Sequence, residues 1–349
     1  MELFNLGKVA WHETQLIYHA LAELNREALS LVSPASPYVC IGYHQDVAQE
    51  VDLEFCRQNE IPVFRRKVGG GAVYLDGEQL FFHLILHKNN AVIPPRKETF
   101  YKKFLQPVVD VYRHIGIAAE YKPINDVIVQ TRKISGTGVG EIGDCVVFVG
   151  NLIVDFNYDM MARVLKVPDE KFRDKVHKTL KDNLSTIHRE LGAEQAAQWN
   201  EFSLNRLMAQ EFQKIVGPLA PSNPDEELRS KMDQIGQKLI NDEWLFQSGR
   251  RLVGRDIKIR AGVKLLHKMH KATGGLIRAD FELSEGKVAN LNISGDFFCF
   301  PGEAVSRLES RLEGQSMTDA KQIIEAFYTQ ESIETPGIEI DDWMRVLTV

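Results

Sequence analysis

The sequence predicts an α+β protein of two domains, a mixed-sheet domain over residues 1–250 and a small α+β domain over 251–349. Three observations carry this expectation. Strand-patterned runs and amphipathic helical runs are interspersed along the first 250 residues. The GxGxG spacing at Gly136, Gly138 and Gly140 runs into another β-pattern rather than a helix, which excludes a dinucleotide-binding Rossmann start. From about Gly249 the texture changes, and Gly275 to Phe298 reads as alternating strands around a Glu285-Gly286 turn.

Composition bounds the function. With 349 residues and 44% hydrophobic content the chain can build substantial cores. A net charge of −6 argues against broad, nonspecific nucleic-acid binding, although Arg65-Arg66-Lys67 forms a local basic cluster. No apolar stretch approaches the roughly 20 residues of a membrane span. The start MELFNLGKVAW lacks the parts of a signal peptide, so the expected location is the cytoplasm. Cys40, Cys56, Cys145 and Cys299 are scattered without a CxxC pair and read as small buried hydrophobes.

In chain order, Leu16, Ile17, Ala20, Leu21, Leu24 and Ala28 have helical spacing and predict a helix from Glu13 to Ser30, followed by a turn at Ser33 to Pro37. Tyr38 to Tyr43 reads as a strand. His44-Gln45-Asp46 at its end is a loop, where His44 either bonds a ligand or faces solvent. A short helix over Glu50 to Asn59 and a strand over Ile61 to Phe64 lead into the glycine-rich segment. Gln79 to His87 suits a strand buried on both faces. His83 and His87 share one of its faces, but no third ligand of metal spacing accompanies them. Glu98 to Gly116 has helical spacing, with Gly116 as its stop. A strand from Asn125, a turn bearing Arg132 and Lys133, and a second strand follow, with Val146 to Phe156 returning beside them. Met160 to Leu191 reads as short helices with solvated basic faces. Ser203 to Val216 and Glu226 to Trp244 are amphipathic helices separated by a turn-rich stretch, and Glu303 to Leu312 and Asp319 to Tyr328 are helices of the tail.

Two stretches bear chemistry. In the first, Arg65 and Arg66 lead into Gly69, Gly70 and Gly71. Consecutive glycines let backbone N–H groups converge on an anion, and guanidinium groups supply charge and forked donors. An anion-binding loop and a tight basic hairpin both fit this segment. In the second, Lys133 lies near a glycine-bearing strand. A fixed ammonium is useful where negative charge grows on a carboxylate or an α-phosphate. Asn125 and Asp126 begin the strand before it and are candidates for orienting that lysine or a Mg²⁺ ion. There is no GxxxxGK[ST], GxSxG, HExxH or paired-cysteine motif.

The pattern RRxxGGGxVxxD at Arg65 to Asp76, with ND…RKISG at Asn125 to Gly136, resembles the lipoate–protein ligase A family. GNLIVDF at Gly150 to Phe156, EWLF at Glu243 to Phe246 and SGDFF at Ser294 to Phe298 extend the resemblance, the last suggesting the family's C-terminal accessory domain. The resemblance implies a biotin/lipoate ligase-like fold and a two-step reaction. MgATP activates lipoate or octanoate as an acyl-adenylate, and the acyl group passes to a lysine of a lipoyl domain, in a 2-oxoacid dehydrogenase E2 or a glycine cleavage H-like protein. It further implies that Arg66, Gly71, Ala72, Val73 and Tyr74 hold the nucleotide, with Gly69 and Gly70 shaping the loop. Lys133 would contact the acyl carbonyl and α-phosphate, and Val73, Leu84 and Gly136 would line the acyl site. Leu75 and Val149 depart from the family, which often has histidine at both places. An ATP-independent amidotransferase using Cys145 and a non-catalytic lipoyl-domain-binding homologue are the alternatives.

Overall fold

A computed structural model describes residues 1–247 and 263–348. The domain division expected at residue 250, and the change of texture at Gly249, lie outside the described residues. Two compact units are present. The first comprises Met1–Cys40, Asp52–Phe64 and Val73–Ile240; the second comprises Ile41–Val51, Arg65–Ala72 and the chain from Asn241.

The first unit contains β1 (Glu2–Val9), α1 (Glu13–Glu23), β2 (Ala28–Pro34), most of β3 (Tyr38–Ile41), and the chain over Asp52–Phe64 and Val73–Ile240. Val47–Glu50 is α2, in the second unit, and Leu53–Gln58 is α3. Then come β4 (Val63–Arg65), β5 (Val73–Leu75), β6 (Gln79–His87) and α4 (Lys97–His114). A meander follows in β7 (Ala119–Lys122), β8 (Asp126–Val129) and β9 (Arg132–Ser135), then β10 (Thr137–Ile142) and β11 (Cys145–Ile153). The helices α5 (Tyr158–Val164), α6 (Glu170–Asn183), α7 (Ile187–Leu191), α8 (Ala193–Ala196), α9 (Glu201–Val216) and α10 (Glu226–Leu239) complete it, with β12 (Ala220–Pro221) between the last two.

Its main sheet has the order β10-β11-β6-β2-β1-β12, antiparallel from β10 to β2 and parallel beyond, so it is mixed. β6 lies inside it, with Leu84 opposite Leu29 on one side and Phe148 on the other. Burial on both faces is why its sequence is a continuous apolar run. From α9, Phe212 packs on Phe82, and from α4, Phe104 packs on Phe148.

The second unit has an antiparallel sheet of β13 (Val263–Ala272), β14 (Gly275–Ser284) and β15 (Lys287–Gly295). Glu285 and Gly286 both take positive φ, which matches the twist of a tight hairpin. Helices Asp242–Leu245, Ala304–Leu312, Ala320–Glu331 and Ile340–Leu347 belong to the same unit. Ile277, Phe281, Leu291, Phe297, Phe327 and Trp343 form its core.

Several expectations change. The helix predicted to Ser30 ends at Glu23, because Asn25 turns left-handed and the chain re-enters the sheet as β2. Alternating Leu and Ser in β2 are all buried between β1 and β6, so tertiary pairing overrides helical spacing. The predicted Glu226 to Trp244 helix breaks after Leu239, where Asn241 caps a new turn. β1, β13 and the helix Ile340–Leu347 had no counterpart in the sequence reading. Among the described residues no helix is long and apolar enough to cross a membrane.

Candidate active site

Lys133 sits within β9 rather than on a turn; the reversal before it is made by Gln130, whose φ is +56°. Its ammonium nitrogen lies 2.6 Å from Asp126 Oδ1, at the start of β8. With the two side chains 36% and 29% exposed, solvent screens the pair, which orients the lysine more than it stabilises the fold. The strand beneath Lys133 is fixed from several directions. Ser185 N–H donates to Lys133 O at 2.8 Å, and Tyr112 Oη donates to Ile134 O at 2.6 Å while accepting from Ile153 N–H at 3.1 Å. Burial raises the Tyr112 phenol, which keeps that hydroxyl protonated and able to donate. Asn125 Nδ2 donates to Thr137 O at 3.1 Å, so Asn125 braces the loop after Gly136.

Val73 and Tyr74 lie on β5, which pairs with β3 through Cys40 and Val39. Two side chains that the sequence reading did not single out connect this strand to the lysine-bearing one. Gln79 Nε2 donates to Tyr74 O at 3.3 Å, and Asn151 Nδ2 donates to Gln79 Oε1 at 3.5 Å. Asn151 Oδ1 accepts from Gly136 N–H at 2.8 Å. A signal for them was present, because Gln and Asn at buried strand positions are unusual and require partners. Leu84 is buried in the middle of the main sheet, and Gly150, beside Asn151, has no room for a Cβ against the Phe82 ring.

Within the second unit the two arginines have different roles. Arg65 is fully buried and donates to four carbonyls: Gly42 at 3.3 Å, Tyr43 at 2.8 Å, Gln45 at 2.6 Å, and Leu245 twice, at 3.0 and 2.7 Å. Its own carbonyl accepts from Trp244 Nε1 at 2.8 Å. All three guanidinium nitrogens are engaged, so Arg65 is a structural lock and not the second phosphate fork inferred from the doublet. Burial lowers its pKa to about 10, which leaves it charged at neutral pH. Arg66 Nη2 donates to Gly69 O at 2.8 Å and Gly71 O at 3.0 Å, bending the loop around the guanidinium. The glycines have a packing reason of their own: a Cβ on Gly69 would lie 2.8 Å from both Phe297 O and Phe298 Cδ1. His44 does not face solvent. Its ring stacks on Phe297 at 4.8 Å, and burial lowers its pKa to about 3.

Asn125, Asp126, Lys133, Gly136, Val73, Tyr74 and Leu84 thus belong to the first unit, and Arg66, Gly69, Gly70, Gly71 and Ala72 to the second. His83 is buried beside Ser30 and Tyr18, and His87 Nδ1 accepts from Asn89 N–H. Among the described residues no group of three or more His, Cys, Asp or Glu is placed to hold a metal ion.

Comparison with known proteins places the chain in a family. Lipoate-protein ligase LplJ of Bacillus subtilis (strain 168) is 28% identical over 292 residues, covering 80% of this chain and 78% of its own. The bi-partite lipoate protein ligase of Thermoplasma acidophilum, solved in a study of that ligase and its E2 lipoyl domain, superposes with a TM-score of 0.62 at 24% identity. That match covers 70% of this chain and 95% of the solved one. A lipoate-protein ligase A bound with ATP superposes with a TM-score of 0.58 at 20% identity, covering 70% and 98% respectively. Both structures share its fold. Residues 8–213 match the lipoyl protein ligase A/B catalytic domain and residues 266–347 the bacterial lipoate protein ligase C-terminus, and the chain belongs to this ligase family.

Proposed function

We propose that this protein is an ATP-dependent lipoate–protein ligase. In the first step a carboxylate oxygen of lipoate or octanoate attacks the α-phosphorus of ATP, forming acyl-AMP and releasing pyrophosphate. In the second the ε-amine of a lipoyl-domain lysine attacks the acyl carbonyl; AMP leaves, and the amine proton is lost to solvent. The observation that carries this reading is the match of residues 8–213 to the lipoyl protein ligase A/B catalytic domain.

Lys133 is assigned to the carbonyl and α-phosphate oxygens, where charge accumulates in both steps. Asp126 orients it, as the 2.6 Å ion pair supports. Arg66, Gly71, Ala72, Val73 and Tyr74 hold the nucleotide, Gly69 and Gly70 shape the loop, and Val73, Leu84 and Gly136 border the acyl chain. Asp126 is the carboxylate that would hold a Mg²⁺ ion brought in with ATP, and the ion would supply charge neutralisation at the phosphates. The acceptor is a lipoyl domain of an E2 or H-like protein, and the reaction takes place in the cytoplasm, where ATP is available.

The amidotransferase alternative requires a reactive thiolate. Cys145 is fully buried and burial raises its pKa, which disfavours that role. An assay of pyrophosphate and AMP release with lipoate or octanoate, ATP and an apo lipoyl domain tests the ligase reading. Wild type is expected to release both, and Lys133→Ala to lose about 10²–10³-fold in kcat. Undiminished turnover by Lys133→Ala would remove that residue from its assigned role.

A further inference from the structure

Gln79 and Asn151 are 1% and 8% exposed, and their contacts are specific. Besides accepting from Gly136 N–H through Oδ1, Asn151 donates its own N–H to Gly136 O at 3.2 Å and accepts from Ser135 Oγ through its carbonyl at 2.6 Å. The direction of the amide chain is forced from both ends. Gly136 N–H needs an acceptor, so Oδ1 faces it and Nδ2 faces Gln79. Oε1 of Gln79 must then face that donor, which leaves Nε2 for the Tyr74 carbonyl.

The strands of Tyr74 and Lys133 do not pair with each other directly, since β5 pairs with β3 and β9 with β8, whereas β6 and β11, which carry Gln79 and Asn151, are neighbours in the main sheet. We infer that the Gln79–Asn151 pair is a strut that sets the spacing between the strand of Val73 and Tyr74 and the strand of Lys133, making both side chains positioning residues for acyl activation. The inference rests on the ligase reading. The links that join the strands are 3.5 and 3.3 Å long.

Gln79→Leu keeps the side-chain volume, removes the strut and leaves the Asn151–Gly136 clasp. Pyrophosphate release is measured for wild type, Gln79→Leu, Lys133→Ala and the double variant, with kcat and KM for ATP and acid resolved. Gln79→Leu should lose about ten- to a hundredfold in kcat with each KM within about threefold, the scale expected from misplacement of a catalytic group. The double variant should be no slower than Lys133→Ala alone, because the strut acts through Lys133. Unchanged kcat, or losses that multiply in the double variant, would overturn the strut. Asn151→Asp retains the acceptor for Gly136 but sets a carboxylate against Gln79 Oε1. It carries the same expectations if Gln79→Leu folds poorly. Wild type without pyrophosphate release would overturn the ligase reading and the strut with it; active wild type beside an unaffected Gln79→Leu would overturn the strut alone.

Discussion

Arg65 and Arg66 are adjacent and chemically identical, yet one closes on main-chain carbonyls of its own unit and the other curls into the glycine loop. Arg65→Met should therefore destabilise the protein by about 3–5 kcal/mol, because it leaves buried carbonyls without donors. Urea denaturation of the full-length protein measures this. The sequence made the basic glycine-rich loop legible, but not which guanidinium was committed to structure. That depends on Leu245 O, which lies far along the chain and becomes a partner only after folding. Lys133 and Asp126 were legible as a candidate pair because a short meander separates them, and such local geometry follows from turn chemistry.

At the scale of elements, β6 and the Glu285-Gly286 hairpin could be read directly, since a continuous apolar run and a turn pair each point to one arrangement. β2 could not, because its Leu–Ser alternation followed a helical run and its burial comes from β1 and β6 on either side. β11 carries a tighter constraint at Gly150, where a Cβ would overlap the Phe82 ring and lie 3.0 Å from Gly136 O. Gly150→Ala should cost about 1–3 kcal/mol through overpacking, read as a lower denaturant midpoint with unchanged m-value.

Across the whole molecule, buried neutral histidines lie in both units: His83 in the first and His44 in the second have pKa values lowered to about 3 by burial. The ordinary value is 6.5, so below that pH the unfolded chain takes up protons that the folded chain refuses. The stability these groups contribute is complete above pH 6.5 and falls as pH drops toward 3, by about 1.4 kcal/mol per pH unit for each histidine. Denaturation at pH 7, 6 and 5 should show this slope, and His83→Gln should remove its share. The second unit also draws residues 41–51 and 65–72 away from their sequence neighbours to join the chain beyond Asn241. On the ribosome these early loops emerge well before their partners, and at about 5–20 residues per second they wait on the order of ten seconds or more. Throughout that interval the nascent chain presents His44 and the glycine triplet without Phe297 and Phe298, so protection of these segments from proteases must come late in synthesis.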